Sequence, residues 1–279
     1  MIRRTLLALM MMWHASLGHS GPQRIVSLNL CTDQLLLELV APERIQMLSQ
    51  LAADESLSWR ATKARPLLRY NGSVEPIMAL KPDLILAGAQ TTYGTVATLT
   101  RLGYPVHTLT MPESIEGSLT LIQTVADLLG ESEAGRALAM TTEQRLRALK
   151  RPLLDNAPLA VIYLPNGLSP GAETLKHQLL AWAGLRNLTA QIGHQQYATL
   201  DIETLLRARP DWVILDRADL SHASLAQQRL HHPALTKSNA IGNRFVMPTP
   251  LWICGGPQLA EALETLTSIT SKPASHNGN

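Results

Sequence analysis

The chain has 279 residues, 46% of them hydrophobic and 4% aromatic, and its 24 basic and 22 acidic residues leave a net charge of +2. That length and apolar content suffice for two compact lobes. Without long runs of either sign there is no nucleic-acid footprint, so neither DNA nor RNA is expected as a partner.

At the start of the chain, Arg3 and Arg4 precede an apolar run at 6–13 and then the small residues Ser16, Gly18 and Ser20, the pattern of a secretory signal peptide. The run is too short for a membrane span, which takes ~20 apolar residues, and no later stretch is long enough. A soluble periplasmic protein is therefore expected after removal of residues 1–20; no cysteine at the cleavage site offers a lipid anchor. The plain alternative is a buried N-terminal helix.

Residues 24–28 read as a buried strand, followed by a polar loop at 29–33 in which Thr32 or Asp33 could cap a helix running through Leu35 to Val40. A short strand at 46–48, a polar and partly aromatic stretch through Trp59 and Tyr70, and a helix and strand ending at Gly88 follow. A helix near 92–102 and a strand at 106–109 complete this half. From 114 to 150 strand signals vanish and two helices are expected, the second at 132–150 ending before Pro152. The alternation then restarts: strand 159–164, loop 165–171, helix 174–183, a helix and strand within 201–215, a helix near 225–230, strand 245–247 and a terminal helix from Pro257. A polar tail follows Ser271. This pattern predicts an α/β protein of two Rossmann-like lobes with parallel sheets, joined by one long rigid α-helix. The expected division is a signal peptide at 1–20, an N-terminal lobe at 21–130, a connecting helix at 131–151 and a C-terminal lobe at 152–279. A helical connector argues against large lobe closure, and a monomer is expected.

One segment is written twice. Residues 73–87 and 201–215 align so that Glu75, Pro82 and Asp83 match Glu203, Pro210 and Asp211. In each copy Ser73 or Asp201 is placed to cap a helix, a glutamate sits in the first turn, and a proline stops the helix before an apolar strand. Helix-end electrostatics, worth roughly 0.3 to 1 kcal/mol, accounts for either glutamate alone. It does not account for the same phase in both lobes.

Ligands of open parallel sheets sit beyond the carboxyl ends of the strands. The candidate binding residues in those loops are Asn29, Cys31, Thr32, Gln50, Tyr70, Gln90 and Tyr93 in the first lobe, and Asn166, Tyr197, Asp216, Trp252 and Cys254 in the second. Trp212 and Trp182 read as core, whereas Tyr70, Tyr93, Tyr197 and Trp252 read equally as core or as cleft lining. Cys31 and Cys254 allow a disulfide between lobes, a pair of thiolates facing a metal in the ligand, or two unrelated buried thiols. Catalytic and phosphate-binding motifs are missing, which argues against an enzyme. The alternative is an exported enzyme using Cys31 or Cys254. His231 and His232 read as a solvated pair, so no metal site and no cofactor are expected.

These residues together resemble the helical-backbone periplasmic binding proteins of ABC importers that capture ferric siderophores, haem and cobalamin. The resemblance rests on 24–28, 74–86, the central helix, 183–187 and 203–215. It implies a cleft that holds an iron chelate or corrinoid as cargo, and an inner-membrane ABC permease as partner. It also implies that Glu75 and Glu203 dock on that permease. Similarity to cobalamin-binding members places Tyr197 at a cleft aromatic and both cysteines near the pocket. The cysteine pair departs from the group's general pattern, and the cleft arginines of catecholate siderophore binders are not evident.

Overall fold

In a computed structural model the described residues are 21–89, 91, 93–217, 230, 232–233, 235 and 242–270. The expected signal peptide, Gln90, His231, the polar tail and all but Leu230 of the helix expected at 225–230 lie outside them.

Ten strands are described: β1 (Ile25–Ser27), β2 (Ile45–Met47), β3 (Leu84–Gly88), β4 (Val106–Leu109), β5 (Leu159–Ile162), β6 (Leu168–Ser169), β7 (Arg186–Asn187), β8 (Ala198–Thr199), β9 (Trp212–Asp216) and β10 (Asn243–Met247). Two four-stranded sheets have the orders β2-β1-β3-β4 and β10-β9-β5-β7, and every pairing within them is parallel. Read from the other edge, the second sheet repeats the first, since each has its leading strand beside the strand of the duplicated segment. A short antiparallel pair, β6 with β8, is added to the second lobe.

The helices are α1 (Leu30–Leu39), α2 (Ala61–Ala64), α3 (Glu75–Leu80), α4 (Tyr93–Arg101), α5 (Ile115–Leu129), α6 (Ser132–Leu149), α7 (Leu175–Trp182), α8 (Leu188–Gln191) and α9 (Ile202–Ala208), with a closing helix at Leu259–Thr270. Helix α1 starts earlier than its apolar periodicity suggests. Asn29, in extended conformation, accepts from the amides of Cys31 and Thr32 and so caps it, which leaves Thr32 and Asp33 inside the helix.

The duplicated segments fold alike. Lys81 and Arg209 end α3 and α9 with the same left-handed conformation, φ 47° and ψ 58° or 59°, before Pro82 and Pro210. The aspartates then cap the neighbouring leading strand. Asp83 accepts from the amides of Gln23 at 2.7 Å and Arg24 at 2.8 Å, and Asp211 accepts from that of Leu159 at 2.7 Å. Asp201 caps α9 through the Thr204 amide at 2.6 Å. In α3 the cap position belongs to Val74 without a side-chain bond, so Ser73 does not play the part its sequence position suggests.

The two lobes share more than a linker. Helix α5 contributes Ile115 to the core of the second lobe but Ile122, Val125 and Leu129 to that of the first. Helix α6 returns antiparallel, with Leu138 packed on the first core and Leu146 within the second. Gly130 makes the left-handed turn between them at φ 74°, and Gly135 lets the helices meet at the Ala126 methyl. Arg44 clamps that turn to the first lobe, donating to the carbonyls of Leu129 at 2.6 Å and Pro22 at 2.9 Å and pairing with Glu131 at 2.5 Å. The connector α6 is thus half of a helical hairpin fixed at both ends, a stiff junction. Among the described residues no helix is long and apolar enough to cross a membrane.

Candidate functional site

A cleft of about 470 Å³ opens between the lobes. On one side it is lined by Asn29, Leu30, Cys31, Leu51 and Ala89, at and beyond the carboxyl ends of β1, β2 and β3, and at the junction by Met111, Pro112 and Glu113. The far wall includes Lys176, Gln196, Tyr197, Trp252 and Ile253. A volume of this order belongs to ligand pockets, which run from roughly 300 to 1,000 Å³.

The far wall is built around Trp252, which is 1% exposed. Asp216, at the end of β9, accepts from the Trp252 indole Nε1 at 2.7 Å and from the Thr249 hydroxyl, and this fixes the ring plane. Thr174 caps α7 by accepting from the amide of His177, which sets Lys176 in the first turn. The Lys176 ammonium donates to the Trp252 carbonyl at 3.0 Å and lies 4.3 Å from the indole centroid. Lys176 and Glu113 are the charged side chains among the described lining residues, one of each sign. Burial, and secondarily the Glu113 carboxylate, push the Tyr197 phenol above its ordinary pKa.

Cys31, in the first turn of α1, is bonded to Cys254 with Cα atoms 5.3 Å apart. Of the three readings open from sequence, a disulfide between the lobes is the one the structure contains. Both sulfurs are buried, with Leu30, Leu57 and Met111 packed around them. The loop after Cys254 is pressed against the start of α5, because a side chain at Gly255 would meet Pro112 and Ser118. Two further contacts bridge the lobes: the Trp59 indole Nε1 donates to Glu261 at 3.1 Å, and the Ile115 amide donates to the Gln178 carboxamide oxygen at 2.8 Å.

The candidate residues divide accordingly. Asn29, Cys31, Tyr197 and Trp252 meet on the cleft lining, with Cys254 and Asp216 supporting it from behind. Thr32 is fully buried, bonded to the Ser27 hydroxyl and the Asn29 carbonyl. Gln50 is exposed while its neighbour Leu51 faces the cleft. Tyr70 packs on the first-lobe core and meets the Thr95 hydroxyl at 3.1 Å. Tyr93 is 86% exposed on α4 and Asn166 is exposed in a left-handed turn; neither lines this cleft. Gln90 lies outside the described residues. Sequence reasoning passed over Leu51, Glu113, Lys176 and Ile253. Two of them carried a signal: Glu113 and Lys176 each sit within two residues of a helix-capping Ser114 or Thr174, where a side chain faces the strand ends.

Glu75 and Glu203 are exposed in the first turns of α3 and α9. Each helix precedes a parallel strand of its sheet and runs back against it, so both glutamates stand at the carboxyl end, the same end as the cleft. Among the described residues no group of three metal-binding side chains gathers.

Comparison with known proteins points one way. The sequence profile of the periplasmic binding protein family matches residues 25–250. A cobalamin-binding protein of Halobacterium salinarum is 27% identical over 214 residues, covering 74% of this chain and 58% of its own length. The chain thus spans about three-fifths of the length of that relative. Among solved structures, the periplasmic heme-binding protein RhuT of Roseiflexus sp. RS-1 superposes with a TM-score of 0.73 at 23% identity, covering 90% of this chain and 97% of RhuT. The periplasmic vitamin B12 binding protein BtuF of Vibrio cholerae superposes with a TM-score of 0.67 at 17% identity, covering 90% of this chain and 97% of BtuF.

Proposed function

The chain belongs to the periplasmic binding protein family, and from that premise we propose that it captures a bulky metal chelate of small net charge, a corrinoid before haem, and delivers it to an ABC permease. The family consists of solute-binding proteins, so the alternative of a cysteine-dependent enzyme is set aside; both cysteines are in any case joined to each other.

The observation that carries the cargo is the cleft's combination of a broad apolar wall with balanced charge. Tyr197, Ile253 and Leu51 offer exposed apolar area to a large flat chelate, with Trp252 buried behind them, while Lys176 is offset by Glu113. An anionic siderophore or the two propionates of haem would enter with too little positive charge to meet them, and a desolvated unpaired carboxylate is costly. A corrinoid arrives with its metal already ligated and presents amide edges, for which the carboxamides of Asn29 and Gln196 are suitable partners. The cobalamin-binding relative is consistent with this choice.

Export rests on the signal pattern in residues 1–20. Delivery rests on Glu75 and Glu203, one exposed carboxylate per lobe on a body whose halves are held by the α5–α6 hairpin. Two anionic points at fixed separation would orient the protein on a cationic partner surface.

The test is a tryptophan-fluorescence titration with cobalamin, cobinamide, haem and ferric siderophores. Saturable quenching by a corrinoid at concentrations where haem and the siderophores do not bind is expected. Preferential binding of haem or of an anionic siderophore would overturn the charge argument.

A further inference from the structure

We propose that the Cys31–Cys254 disulfide is a thiol-exchange site that opens from the cleft while the protein stays folded, and that its reduction loosens the wall segment 253–256 beside the anchored Trp252.

The two sulfurs are placed unequally. Cys31 is on the cleft lining, whereas Cys254 lies behind it and is 2% exposed. Both sulfurs are buried, Cys31 at 7% exposure, so a local opening of the cleft lining uncovers Cys31 Sγ to an entering thiolate before Cys254. The co-reactant is a dithiol. One thiolate attacks Cys31 Sγ, the Sγ–Sγ bond breaks, and the electron pair leaves on Cys254, which takes up a proton. The second thiolate of the dithiol then attacks the mixed disulfide and expels Cys31, which is also protonated. The clasp gains two electrons and two protons, and the dithiol is oxidised to its own disulfide.

A neighbouring side chain suits the reduced state better than the oxidised one. Gln34 is 2% exposed, its Nε2 lies 3.8 Å from Cys254 Sγ, and its carboxamide oxygen is buried without a hydrogen-bond partner. A disulfide sulfur has no proton to give that oxygen. The Cys254 thiol does, once the amide turns about its last bond, so reduction supplies a donor to a group that otherwise goes unsatisfied.

The fold tolerates the change. With the bond broken the lobes remain joined by the shared cores of α5 and α6, by Trp59 to Glu261 and by Ile115 to Gln178. What is loosened is the segment 253–256, which runs through two glycines and bears Ile253 of the cleft wall, while Trp252 stays anchored by Asp216 and Lys176. The chemistry holds whatever the cargo is; only its bearing on cargo retention rests on the cleft reading above.

The experiment treats the full mature chain with glutathione, then with dithiothreitol, at pH 8 without denaturant. Free thiols are trapped by alkylation and mapped by mass spectrometry. The expected result is a mixed disulfide on Cys31 with Cys254 alkylated, a reduction rate unchanged across low urea concentrations, and faster amide hydrogen exchange at 253–256 with an unchanged far-UV circular dichroism spectrum. A rate that climbs with urea in step with global unfolding, or a mixed disulfide on Cys254, would overturn the proposal. Amide hydrogen exchange at 253–256 unmoved by reduction would overturn the loosening of the wall. A Cys254→Ser variant, treated with glutathione disulfide, checks access independently: the Cys31 thiolate should take one glutathione and expel the other in the folded protein at least tenfold faster than the protein unfolds. None of these readouts involves cargo, so failure of the titration above leaves them standing.

Discussion

Replacing Asp33 by asparagine should change how stability depends on pH, and the size of the change follows from where the carboxylate sits. Asp33 is fully buried on α1, and its oxygens accept from the Ser49 amide at 3.1 Å and the Ser49 hydroxyl at 2.5 Å, tying the helix to the loop after β2. Burial raises its pKa from 3.8 to about 7, and the bonds from Ser27 and Ser49 oppose that only in part. The folded protein therefore holds a proton here between pH 4 and 7 that the unfolded chain has released. The stabilisation this gives is complete below pH 4 and is lost as pH rises through 7. A shift of about 3 units at about 1.4 kcal/mol each amounts to about 4 kcal/mol, an upper figure because water entry softens desolvation. Asparagine keeps an acceptor for the Ser49 amide and offers an N–H to its hydroxyl, so it mimics the protonated acid at every pH. Urea unfolding of both proteins from pH 4 to pH 8 is the assay, read as the difference between them so that other titrating groups cancel. The asparagine variant should gain on the parent by up to about 4 kcal/mol across that range. A difference flat to within about 0.5 kcal/mol would mean that Asp33 ionises normally and that its desolvation has been misjudged.

The double substitution Cys31→Ser with Cys254→Ser should lower stability by up to about 5 kcal/mol in urea unfolding, since the bond closes a loop across a sequence separation of 223 residues. Gly135→Ala should destabilise by about 1 to 3 kcal/mol despite alanine's better helix propensity, because its methyl would overlap that of Ala126 where α5 and α6 touch; thermal unfolding checks this. Glu75→Ala with Glu203→Ala should abolish uptake in a reconstituted transport assay while leaving cargo affinity within about twofold; an equal loss of both would contradict a docking role.

The repeat was the most legible part of the chain because its signals are local. A left-handed cap, a proline and a strand-capping aspartate follow one another within a few residues at 81–83 and again at 209–211, and each copy predicts its own helix and strand. That both sheets are parallel followed from the alternation of strands and helices; their strand orders are long-range and did not. The short β7 and β8 and the four-residue α8 went unseen, since two to four residues carry no period. In the cleft, Tyr197 was legible as a rare aromatic in a loop, whereas Trp252, open to either reading, is buried in the core behind the wall. Thr32 and Tyr70 were misplaced for a common reason. A polar group near a strand end can turn inward when a partner waits there, as the Ser27 hydroxyl does for Thr32 and the Thr95 hydroxyl for Tyr70. Lys176 and Glu113 are defined by which residues oppose them across the seam, and that pairing is long-range.

The most direct measurement is a crystal structure of the mature protein grown with the chelate that quenches its tryptophan fluorescence. The account places that chelate against Tyr197 and Ile253 on one side and Asn29 and Ala89 on the other, with Glu75 and Glu203 exposed outside it. Density for it instead in the shallow groove beside Leu154, His177 and Arg186, or nowhere between the lobes, would contradict the account.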